Sequence, residues 1–124
     1  MPFFNTNPQN QNDADFYMAP NGAVGIQVYS SPGLITSNTW YRIAFVADLT
    51  LSRLTFFVNG LPVETNNAAA LDGRWSLLSE DNPGADLLLF NEGDLSGAYT
   101  HEVYAAHIAI VPRNLGAVEI ANEP

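Results

Sequence analysis

The chain has 124 residues and a formal net charge of −9, with 13 carboxylates against four arginines and neither lysine nor cysteine. At this length one domain with a single modest core is expected. Without cysteine there is no disulfide framework and no thiol nucleophile, and so acidic a surface repels phosphate backbones and anionic lipid, which makes nucleic acid and membrane poor partners; neither nucleic-acid binding nor membrane insertion is expected.

Met1-Pro2-Phe3-Phe4 lacks the basic start and long apolar run of a signal peptide. No apolar run reaches membrane-spanning length. An export signal is therefore expected only in a longer parent chain. Phe3-Phe4 reads as a very short strand, followed by an Asn- and Gln-rich loop to Asp15. Residues 14–18 read as a short strand. Ala19-Pro20-Asn21-Gly22 is a turn. Residues 23–29 alternate Val24, Ile26 and Val28 against Ala23, Gly25, Gln27 and Tyr29, which predicts one strand. Ser30-Ser31-Pro32-Gly33 turns the chain again.

The strongest pattern follows. From residue 40, Tyr41, Ile43, Phe45 and Ala47 share one face of a strand, with Trp40, Arg42, Ala44, Val46 and Asp48 on the other. A short polar loop leads to a second strand, where Leu54, Phe56 and Val58 share a face. Asn59-Gly60 tolerates positive φ at both positions and predicts a two-residue hairpin turn. Pro62 cannot donate to a ladder, so residues 61–65 belong at a sheet edge or a strand start. Trp40 is assigned to the core.

Beyond Asn66 the signals thin. Residues 66–72 read as a loop and 75–78 as a short strand. Residues 79–85 form a Pro-Gly loop, and residues 86–90 a buried strand. Residues 91–98 make a glycine-bearing loop. Residues 99–111 are expected to be the longest strand, with Tyr104, Ala106, Ile108 and Ile110 on one face. Pro112 ends it and a short helical turn follows. Many short strands between turn signals and almost no helix argue an all-β, antiparallel β-sandwich.

Several motifs in order resemble the laminin-G-like, concanavalin A-like lectin superfamily. They are Asn12-Asp13-Ala14-Asp15-Phe16 with Gly25-Ile26, then Trp40-Tyr41-Arg42-Ile43-Ala44 with Leu54-Thr55-Phe56-Phe57-Val58-Asn59-Gly60. Asp72-Gly73-Arg74-Trp75-Ser76-Leu77, Leu87-Leu88-Leu89-Phe90 and Leu115-Gly116-Ala117-Val118-Glu119-Ile120 follow in the same order. The resemblance covers most of the chain. It implies a jelly-roll sandwich over residues 1–124 that lacks the first strands of the family pattern, and an extracellular origin. A sandwich so shortened leaves an open edge, so a homodimer covering that edge is expected, with a fragment of a longer frame as the alternative.

The resemblance also implies a binding role. The leading expectation is a non-catalytic, lectin-like module for carbohydrate or protein. Trp75 and Tyr99 would offer aromatic surfaces beside Asp81, Asn82, Asn91 and Asp94, with Tyr29 also near a loop. Packing in the core explains a strand tryptophan such as Trp75 equally well. Hard oxygen ligands at Asp13 and Asp15, and at Glu92 and Asp94, are candidate calcium ligands. The competing explanation is that these acids are turn formers and helix caps. A structural or self-assembling sandwich with no small ligand is the alternative role. A glycoside hydrolase is the third reading. Sugar-cleaving relatives carry Glu-x-Asp-x-x-Glu on a strand. Here Glu92-Gly93-Asp94-Leu95-Ser96-Gly97 ends in glycine and reads as a loop, so no catalytic residue is assigned. His101 and His107, roughly 20 Å apart along an extended strand, cannot share a metal and are read as surface or edge residues.

Overall fold

The structure, a computed structural model, describes residues 1–5, 16–26, 28–69, 88–90 and 103–122. Among these the chain is all-β apart from one short helix. The strands are β1 (Pro2–Asn5), β2 (Phe16–Met18), β3 (Val24–Ile26), β4 (Val28–Tyr29), β5 (Ile43–Asp48), β6 (Arg53–Val58), β7 (Leu61–Asn66) and β8 (Leu88–Leu89). The helix is α1 (Ala117–Asn122). They make two antiparallel sheets, ordered β4-β3-β2-β1-β8 and β5-β6-β7.

The three-stranded sheet follows from its sequence residue by residue. β5 and β6 pair without a slip from Ile43 opposite Val58 to Asp48 opposite Arg53. Their connection is tied by the Asp48 carboxylate, whose Oδ1 accepts from the Thr50 and Leu51 N–H groups, both at 3.1 Å. An acidic side chain capping its own turn in this way fixes where the hairpin reverses. At the other end Asn59 and Gly60 have φ of 51° and 79°, as a two-residue turn with both central residues left-handed requires. β7 is an edge strand, and Pro62 lies opposite Phe57 beside a register shift, the kind of position where proline is tolerated. The register slips between Phe56 and Phe57, leaving Val63 as an extra residue.

The apolar faces of the two sheets share one core. Phe16, Val24 and Ile26 come from the larger sheet, Leu54, Phe56 and Val58 from the smaller, with Ala69 from the loop beyond β7. Phe16 joins them: its ring lies 5.5 Å from that of Phe56, nearly parallel, and 5.2 Å from that of Phe45. Ring pairs at this spacing add to the burial energy, which for one such side chain is about 1.5–3 kcal/mol. Phe57 points to the opposite face yet is also buried, as is Ile120 of α1. On that side the Arg42 guanidinium donates to the Ala121 carbonyl at 2.9 Å, fastening the helix to the start of β5.

Several expectations are corrected. The single strand over residues 23–29 is two strands. The chain folds back between Ile26 and Val28, so that Gly25 lies opposite Tyr29. A Cβ at Gly25 would overlap the Val28 carbonyl oxygen, so the absence of a side chain there is what admits the return. The strand expected from residue 40 starts at Ile43. Asn59 N–H donates to the Arg42 carbonyl at 2.7 Å while the Arg42 N–H turns to Asn59 Oδ1 at 3.0 Å, and these bonds close the ladder. Trp40 falls beyond it and is 69% exposed, not in the core. In the expected buried strand over 86–90, the described portion is β8 at a sheet edge, where Leu89 is exposed.

The largest correction concerns residues 103–111. They form no strand, and Tyr104, Ile108, Ile110 and Val111 are exposed. Alternation gives a segment two faces. It becomes a strand only when a neighbour supplies the hydrogen-bonding partners. The expected strand over 75–78 lies outside the described residues.

Candidate functional site

The loop that carries Trp40 is built from turn formers. Asn38 holds a φ of 58°, a conformation asparagine adopts more readily than most side chains. The stem of the loop is held by two backbone bonds: Gly33 N–H donates to the Asn21 carbonyl at 2.8 Å and Ile35 N–H to the Gly22 carbonyl at 2.9 Å. Leu34 and Ile35 pack against the core, as does the body of Tyr41. The tip, residues 36–40, is exposed throughout.

Tyr41 links the core to the surface. Its hydroxyl lies 2.9 Å from Thr36 Oγ1 and accepts the Thr36 N–H at 3.2 Å. Thr36 Oγ1 in turn lies 3.4 Å from Thr39 Oγ1. The Thr36 hydroxyl, aided by the Thr36 N–H and Thr39, draws the Tyr41 phenol below its ordinary value. The result is a braced row of hydroxyls on the same loop that carries the solvent-exposed Trp40. No carboxylate occurs between Asp15 and Asp48, so this loop is uncharged in a chain otherwise rich in acids. The nearby Arg42 guanidinium is turned to Ala121.

Such an arrangement can stack an apolar ring face on Trp40 and exchange hydrogen bonds with hydroxyl groups at its margin. The loop, residues 33–41, holds no histidine, cysteine or carboxylate. Among the described residues no three His, Cys, Asp or Glu side chains gather closely enough to hold a metal ion. No helix among them is long and apolar enough to cross a membrane.

The residues singled out by sequence mostly fall elsewhere. Trp75, Tyr99, Asp81, Asn82, Asn91 and Asp94, and the candidate calcium ligands Asp13, Asp15, Glu92 and Asp94, lie outside the described residues. So does His101. Tyr29 is exposed at the end of β4, and His107 is exposed in the segment before α1. Sequence reasoning passed over Trp40 as a surface residue, although a signal was present. The same alternation that turns Tyr41, Ile43 and Phe45 inward turns Trp40 outward, and Ser37-Asn38 just before it is turn-forming.

No family model matches the chain, and no curated protein matches it in sequence. In fold it is similar to a solved structure, residues 221–444 of an S-layer domain-containing protein from Clostridium thermocellum, with a TM-score of 0.48 and 20% identity. That match takes in 98% of this chain and 61% of the other, so the chain spans less than two thirds of that structure's length. A likeness this loose leaves the meaning of the site to its own residues.

Proposed function

We propose that this chain is a non-catalytic, lectin-like β-sandwich of the concanavalin A-like, jelly-roll kind, and that it binds neutral carbohydrate on the Trp40 loop. The observation that carries this reading is the exposed Trp40 on the loop that the Thr36–Thr39–Tyr41 hydroxyl row braces. An exposed tryptophan offers a broad apolar face with an N–H donor at its edge, which suits stacking on a sugar ring. The uncharged loop suits a neutral ligand, since a sugar acid would approach a chain of net charge −9 against its field.

A glycan array with the intact chain is the first test, followed by titration of any sugar that binds, read by tryptophan fluorescence. Trp40→Ala is expected to weaken binding tenfold or more, with melting temperature nearly unchanged because exposed side chains contribute within about 0.5 kcal/mol. Trp75→Ala is the competing arm, since the chain has two tryptophans and the sequence also offers Trp75 as a ligand surface. Binding that survives Trp40→Ala would remove the proposed site. Silence across the array would favour the self-assembling alternative, which the exposed apolar residues 103–111 support.

A further inference from the structure

Residues 103–111, Val-Tyr-Ala-Ala-His-Ile-Ala-Ile-Val, alternate as a strand does, and both faces of that alternation are nearly all apolar. A strand of this composition belongs between neighbours, with both faces covered. Here the segment forms no strand, and Ile108, Ile110 and Val111 stand in solvent. We propose that these residues are the seam of a dimer, pairing antiparallel with the same residues of a second copy about a two-fold axis. This goes beyond the carbohydrate reading and does not depend on it.

Charge identifies the occupant as a second copy. Two bodies of net charge −9 repel each other over most of their surfaces. Between Glu102 and Glu119 the sequence has no carboxylate, so this is where two copies approach at least electrostatic cost. The segment is also complementary to itself. With the axis at His107, Ala106 faces Ile108 and Tyr104 faces Ile110 on one side of the ribbon, small against large and large against large. Val103 faces Val111 and Ala105 faces Ala109 on the other. That register uses the whole segment and keeps Pro112, which has no N–H to give, out of the ladder. The exit is already ordered: Arg113 pairs with Glu119 at 2.8 Å, and Glu119 also accepts the Gly116 N–H at 2.8 Å. Pairing a short edge with its own copy is a common route to two-fold assembly. The small surface makes the association weak and concentration-dependent.

Light scattering on the full chain across a concentration series is expected to show the mass rising from 13.5 kDa toward twice that value. Ile108→Asp with Ile110→Asp is expected to hold it at one copy with the circular dichroism unchanged. Trp40→Ala is expected to leave the dimer intact. Because the chain has no cysteine, a single engineered thiol reports its own neighbour. Facing residues of an antiparallel pair lie within the Cα range that a disulfide spans, so His107→Cys should crosslink under mild oxidation much faster than Thr50→Cys. A one-copy mass at every concentration would overturn the proposal. So would a dimer that survives the paired aspartates, or crosslinking at Thr50 as fast as at His107.

Discussion

Gly60 shows how one missing side chain sets a junction. It sits at φ 79° in the turn between β6 and β7. A Cβ there would come within 2.8 Å of Arg42 Nη2 and 2.9 Å of Ala121 Cα. The turn and the seat of α1 therefore depend on the same atom being absent. Gly60→Ala is expected to cost about 1–2 kcal/mol from the left-handed backbone alone, and more from the displaced helix, measured by denaturant unfolding. A cost below that range would mean that the turn relaxes and α1 does not rest on it. Asn59-Gly60 was legible as a turn from its residue types. That Gly60 also makes room for α1 was not, because the contact joins residues about sixty positions apart. Trp40 carries the same lesson: its outward direction was readable from alternation, but its exposure depends on where the β5 ladder stops.

At the scale of elements, α1 is six residues long, too short to persist on its own propensity. It is held by its ends. Gly116 accepts the first helical bond from the Ile120 N–H at 3.0 Å, and Glu119 reaches back to the Gly116 N–H. This is the reciprocal half of a capping box, with a carboxylate near the positive end of the helix. The Gly116 N–H, together with Arg113, holds the Glu119 carboxyl below its ordinary value of 4.5. A carboxyl whose folded value is depressed contributes stability above its ordinary value and loses it as pH falls through the lower folded value. Protection of the Ile120 amide from exchange is therefore expected to fall below pH 4.5, and Glu119→Gln is expected to flatten that dependence. Protection that stays constant through this range in the wild-type chain would show that the carboxylate does not hold the helix. The β5–β6–β7 hairpins were legible for the opposite reason: alternation, an acid-capped loop and Asn-Gly are all local. The long strand expected over 99–111 is absent over its described part, residues 103–111, where no neighbour supplies a ladder.

Charge governs the behaviour of the whole molecule toward others. Thirteen carboxylates oppose four arginines, so any self-association works against a net field that salt screens. Raising ionic strength from low to physiological is expected to strengthen the proposed dimer, measured as a falling dissociation constant by light scattering. Weakening with salt would mean that ion pairs, not an apolar ribbon, hold the copies together. Binding at the proposed Trp40 site should be nearly indifferent to the same change, since the proposed ligand is neutral. The sequence by itself determined the all-β character, the pairing of β6 with β5 and with β7, and the inward face of Leu54, Phe56 and Val58, because side-chain period and turn chemistry act over a few residues. Only the tertiary structure decided that residues 23–29 fold back on themselves, that Trp40 reaches solvent and that residues 103–111 are left outside a sheet. Each of these depends on which backbone groups find partners across the fold, and no local pattern encodes that.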